Sequence, residues 1–71
     1  MESLKQMLLI FLDRKRNFIH GGEVERYSAS QGYKASNGSR RMRELVRMGQ
    51  VEAIYEMNKN TGHREVWYRK A

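Results

Sequence analysis

The chain has 71 residues and carries 14 Lys and Arg against 8 Asp and Glu, a formal net charge of +6. A chain this short makes one domain at most and buries only about 60% of the surface its unfolded form exposes, which argues against a large enzyme fold with a deep, walled active site. It has no cysteine, so neither a disulfide nor a thiolate zinc site can staple it.

Ser3 is a plausible N-cap, and Leu4, Met7, Leu8, Phe11 and Leu12 follow at helical spacing on one broad face. Leu9 and Ile10 fall off that stripe. They either pack internally against a sheet, the favoured reading, or stay exposed for a partner. The longest apolar run, Met7 to Leu12, falls far short of the roughly 20 residues that span a bilayer. Asp13-Arg14-Lys15-Arg16 follows at once with no small-residue cleavage site, so the run does not read as a signal peptide either. No membrane partner is expected, and the cytoplasm is the expected compartment.

Asn17-Phe18-Ile19-His20 reads as a brief strand or an extended link, and Gly21-Gly22 then breaks the chain. Glu23 suits the positive end of a helix dipole, and Val24, Tyr27 and Ser28 place a second helix from about Gly22 to Ser30. Tyr27 is expected in the core. Gln31-Gly32-Tyr33 is a turn in which Tyr33 anchors to the core.

Ser36 is the expected N-cap of a third helix that runs to about Met48, with Gly49 as its stop. Ser39, Met42, Leu45 and Val46 form its inward face, and Gly38 allows close approach. Asn37, Arg40, Glu44 and Arg47 lie opposite, flanked by Ser36 and Arg43. The positive charge concentrates here. Residues 34–50 carry Lys34, Arg40, Arg41, Arg43 and Arg47 against Glu44 alone, a net +4 of the total +6. Clustering of this kind along one helix is the footprint of a phosphate-binding element rather than of evenly spread solubilising charge.

From Gln50 the period becomes two. Val51, Ala53, Tyr55 and Met57 alternate with polar residues, interrupted by Ile54, and Val66 and Tyr68 resume the alternation after Asn58-Lys59-Asn60-Thr61-Gly62-His63. This predicts a β-hairpin with a loop of about six residues. Symmetric pairing sets Tyr55 opposite Val66 and Ala53 opposite Tyr68, at the expense of Glu56 opposite Glu65. Trp67 is out of phase with Val66 and Tyr68, and packing on Ile54 is its expected role.

Gly21-Gly22-Glu23-Val24-Glu25-Arg26-Tyr27, then Gly32-Tyr33-Lys34-Ala35-Ser36, then Arg40-Arg41-Met42-Arg43-Glu44-Leu45-Val46-Arg47-Met48-Gly49 before a hairpin, resemble the winged helix-turn-helix family over about residues 3–69. The resemblance implies a small α+β fold, a single domain over residues 1–71: three helices plus a C-terminal β-hairpin wing, with a short strand after the first helix where the link is extended. It further implies that the third helix enters the major groove of double-stranded DNA, with Ser36, Asn37 and Arg40 nearest the bases and Arg43 and Arg47 on phosphates. Lys34 would meet a phosphate at the groove's edge, and Lys59, Asn60, His63 and Arg64 would reach from the wing. Arg41 leans to the side of the helix, without a clear role. Glu44 departs from the pattern, since a carboxylate on the contact face repels phosphate. It either accepts from cytosine or holds Arg40 or Arg47 in a helical pair.

Catalysis is not expected. No histidine lies near Ser36 or Ser39 in sequence, the carboxylates are scattered, and no phosphate-cradling glycine loop is present. His20 and His63 lie in unrelated loops and do not read as a metal site. Neither a cofactor nor a small-molecule substrate is therefore expected. The implied role is a DNA-binding transcription regulator, with a homodimer as one route to sequence specificity. Three alternatives stay open: a replication or recombination accessory factor, a protein-interaction module acting through Leu9, Ile10 and Trp67, and binding of structured RNA, for which no aromatic stacking platform stands out in the sequence.

Overall fold

A computed structural model describes residues 3–71. The first helix, α1, spans Leu4–Asp13 and begins at the expected cap: Ser3 Oγ accepts from the Gln6 amide at 3.2 Å, and Gln6 Oε1 accepts from the Ser3 amide at 3.0 Å. This reciprocal box satisfies two backbone donors that the helix start would leave free. Leu4, Leu8 and Leu12, one turn apart, enter the core. Leu9 packs against the rim of the core, but Ile10 does not: it is 42% exposed, against the expectation of internal packing. The stripe through Leu4, Leu8 and Leu12 already fills the contact with the other helices, and Ile10 points away from it.

A two-residue strand, β1 (Ile19–His20), leads directly into α2 (Gly21–Ser30). His20 serves both elements. Its backbone pairs with Trp67, and its side-chain Nδ1 accepts from the Gly22 amide at 3.0 Å as the cap of α2. An imidazole nitrogen that accepts cannot carry the proton, so the proton sits on Nε2, which lies 3.3 Å from Glu65 Oε2. Tyr27 is half-buried and stacks on Phe11 with ring centroids 4.4 Å apart.

The third helix, α3, spans Ala35–Arg47 and crosses α2 at Gly38. A Cβ on Gly38 would collide with the Ser28 hydroxyl and press on the Val24 carbonyl. Ser28 is fully buried and donates to that same carbonyl at 3.0 Å. The helices meet here because neither residue brings bulk, and the buried hydroxyl has its partner.

Strands β2 (Val51–Met57) and β3 (Arg64–Lys70) form the hairpin, and the antiparallel sheet has the order β1-β3-β2. The register is the symmetric one, with Ala53 opposite Tyr68, Tyr55 opposite Val66 and Ile54 opposite Trp67. Glu56 does face Glu65, but Glu65 turns away to accept from Asn58 Nδ2 at 3.0 Å, with His20 Nε2 3.3 Å from its other oxygen. Leu4, Leu8, Leu12, Ile19, Val24, Met42, Leu45, Val51 and Tyr68 make one core, with Tyr33 packed at its edge.

Three helices and a three-stranded antiparallel sheet thus form a small α+β fold, compatible with a winged-helix layout. Among the described residues, no helix is long and apolar enough to cross a membrane. The molecule measures 41 × 24 × 21 Å, and the far half of the hairpin is the part the helices leave bare. Tyr55 and Met57 continue the inward alternation of Val51 and Ala53, yet they are 60% and 66% exposed. Strand period assigns a face to a residue. It does not provide a helix to cover that face.

Candidate nucleic-acid interface

The expected cap of α3 is displaced. Lys34, with extended backbone at φ −68° and ψ 143°, occupies the cap position and makes no side-chain cap bond, and Ser36 lies within the first turn. The short connection from α2 explains this. The Tyr33 amide donates back to the Ser28 carbonyl at 3.0 Å, and Gly32 turns the chain at φ +88°. The chain is therefore redirected two residues earlier than a serine cap would require.

At 100° per residue, Ser36, Arg40, Arg43 and Arg47 fall within about 60° of one another around α3. All four are exposed, and the three arginines with Glu44 line a shallow surface depression. None of the three arginines forms an ion pair or side-chain hydrogen bond among the described residues. Side chains held by nothing in the fold keep their donors available for an outside acceptor.

Glu44 does not hold Arg40 or Arg47. It sits on the flank facing α1, where Lys5 Nζ lies at 2.9 Å and Arg41 Nη1 at 3.1 Å. The Lys5 hydrogen bond holds its carboxyl below the ordinary glutamate range. Partial desolvation opposes this, and the charges of Arg41, Lys5 and Arg40 reinforce it. The carboxylate that seemed to interrupt the contact face is thus neutralised from the side by two cations, one of which is the Arg41 whose role the sequence left open. Asn37 shares this flank. It is half-buried and lines a groove with Ser3, Lys5, Tyr33 and Arg41 rather than joining the arginine stripe. Lys34 is exposed at the helix start.

In the hairpin, Asn58 builds the turn. Its Oδ1 accepts from the Asn60 and Thr61 amides at 2.9 and 3.3 Å, and Gly62 closes the loop at φ +73°. Lys59, Asn60 and His63 are exposed at the tip. Arg64 lies back over Tyr55, its guanidinium carbon 5.4 Å from the ring centroid, on the inward face of the hairpin. No hydrogen bond or ion pair joins the tip to α3 among the described residues. Burial raises the Tyr68 phenol above its ordinary range, the neighbouring Tyr55 adds to this, and the Arg43 charge offsets part of it. Tyr55 and Met57, which alternate in step with the buried Val51, stay exposed beside this tip.

Among the described residues, no group of three or more His, Cys, Asp or Glu side chains is arranged to hold a metal ion. No family model matches the chain, and no curated protein or solved structure matches it.

Proposed function

We propose that the chain binds double-stranded DNA as a winged-helix domain, with α3 in the major groove and the hairpin beside it, in the service of transcription regulation. The observation that carries this reading is the alignment of Arg40, Arg43 and Arg47 with Ser36 on one exposed face, free of internal ion pairs among the described residues. Guanidinium groups at that spacing suit a phosphate backbone and guanine edges. Lys34 extends the positive charge at one end of the helix, and Lys59 and His63 at the hairpin tip supply a second point of contact.

Fluorescence anisotropy of a labelled random-sequence duplex, titrated at several salt concentrations, tests the proposal. With about six phosphates neutralised, log K falls against log salt with a slope of about −5. Replacing Arg40 and Arg43 with Ala weakens binding at least several-fold and makes the slope shallower by about two units if both meet phosphate. Absence of binding by the wild-type chain at low salt refutes the reading, and unchanged affinity in the double variant refutes the assignment of α3.

A further inference from the structure

Glu44 is the one acidic residue of α3, and it lies on the ridge between two surface features. On one side it lines the shallow depression of Arg40, Arg43 and Arg47. On the other, its partners Lys5 and Arg41 line the groove between the start of α1 and α3, beside Ser3, Tyr33 and Asn37. Arg40, Glu44 and Arg41 follow one another within about 100° around the helix. The positive surface thus continues from the arginine stripe into the groove, with a single carboxylate at the border.

That carboxylate occupies an anion seat. Lys5 Nζ lies 2.9 Å from Oε2, and Arg41 Nη1 lies 3.1 Å from Oε1 and 3.3 Å from Oε2. Two cations from two helices converge on both oxygens, the arrangement that two oxygens of a phosphodiester also attract. All three side chains are about one-third exposed, so an outside anion can reach them. Asn37 lines the same groove and brings a side-chain amide donor to it.

We infer that Glu44 stands in for a backbone phosphate: in the free chain it holds Lys5 and Arg41 at the α1–α3 groove, and in the complex a duplex phosphate beside the arginine stripe replaces it. The occupant is a duplex phosphate because the groove continues the face assigned to DNA, and the inference rests on that reading. Glu44 is then a positioning residue that opposes affinity. It keeps two cations in place and must give them up before they act. An exposed ion pair is weak enough for this exchange, and each new phosphate contact releases a counterion from the duplex.

Anisotropy titrations of a labelled random-sequence duplex with single and combined variants test the exchange. Glu44→Gln keeps the side chain's shape and removes its charge. It tightens duplex binding by about threefold, the scale of an exposed ion pair. It also steepens the salt slope by about one unit, because the bound face carries one more net positive charge. Lys5→Met and Arg41→Met keep the apolar stems and remove the cations. Either one reduces the Glu44→Gln gain, and with both present the gain vanishes, since no cation remains to be released. A carboxylate that merely repels DNA gives the same gain in every background, and that result overturns the inference. So does a Glu44→Gln chain that binds no tighter than the wild type. A wild-type chain that ignores duplex at low salt overturns the DNA reading and this exchange together, whereas a wild type that binds while the variants act additively overturns the exchange alone.

Discussion

Glu44 shows how a single side chain acquires a role that its neighbours in sequence do not reveal. A helical wheel offers it Arg40 and Arg47, but it is Lys5, nearly forty positions away, that approaches to 2.9 Å across the α1–α3 contact, with Arg41 completing the pair. Sequence supplies local partners at three and four residues, whereas the packing angle between helices decides which flank a residue faces. The acid dependence follows with its sign. The folded-state carboxyl titrates below the ordinary glutamate value, so its contribution to stability is fully present above that value and is lost as pH falls through the lowered one. Glu44→Gln should therefore melt below the wild type near neutrality and converge with it in acid, as paired thermal melts between neutral and acid pH would show. Parallel curves at all pH values would remove Lys5 and Arg41 as the cause. The gain is small, because the pair is exposed and screened by solvent.

Among the elements, α2 and α3 depend on a single close approach. Gly38→Ala places a methyl against the Ser28 hydroxyl and the Val24 carbonyl, and the penalty for such overpacking is about 1–3 kcal/mol. Chemical denaturation should show that loss, although alanine favours helix over glycine in isolation. Gly38→Ala with Ser28→Ala should recover part of it, and a single variant as stable as the wild type would mean that the helices can separate freely. The N-cap at Ser3, the turn glycines and the hairpin register were legible because each follows from local chemistry: a hydroxyl just before an apolar stripe at helical spacing, a positive φ, or a loop that sets the pairing of its two arms. The start of α3 was not. A serine in cap spacing is a sound local signal, but the hydrogen bond from Tyr33 to Ser28 had already fixed where the chain turns.

At the scale of the whole molecule, the sequence conveyed the order of elements and the concentration of positive charge, and the structure arranged that charge into a face. It also revealed what composition hides. The hairpin projects past the helical layer, so its far residues keep the alternation of a buried strand without the burial. The salt slope is a property at this scale, since it sums every phosphate contact of the charged face.

The arginine stripe has a consequence for how such a protein changes over time. Ser36, Arg40, Arg43 and Arg47 hold no other described side chain in place, so the scaffold tolerates other residues there while its core remains the same. A library randomised at these four positions, with glycine and proline excluded, should fold in most members and melt within a few degrees of the parent, since exposed substitutions away from special features usually change stability by about 0.5 kcal/mol or less. The same library should scatter widely in the ligands it retains. Folding and recognition are then inherited on separate letters, and a lineage can exchange one target for another without passing through an unfolded ancestor.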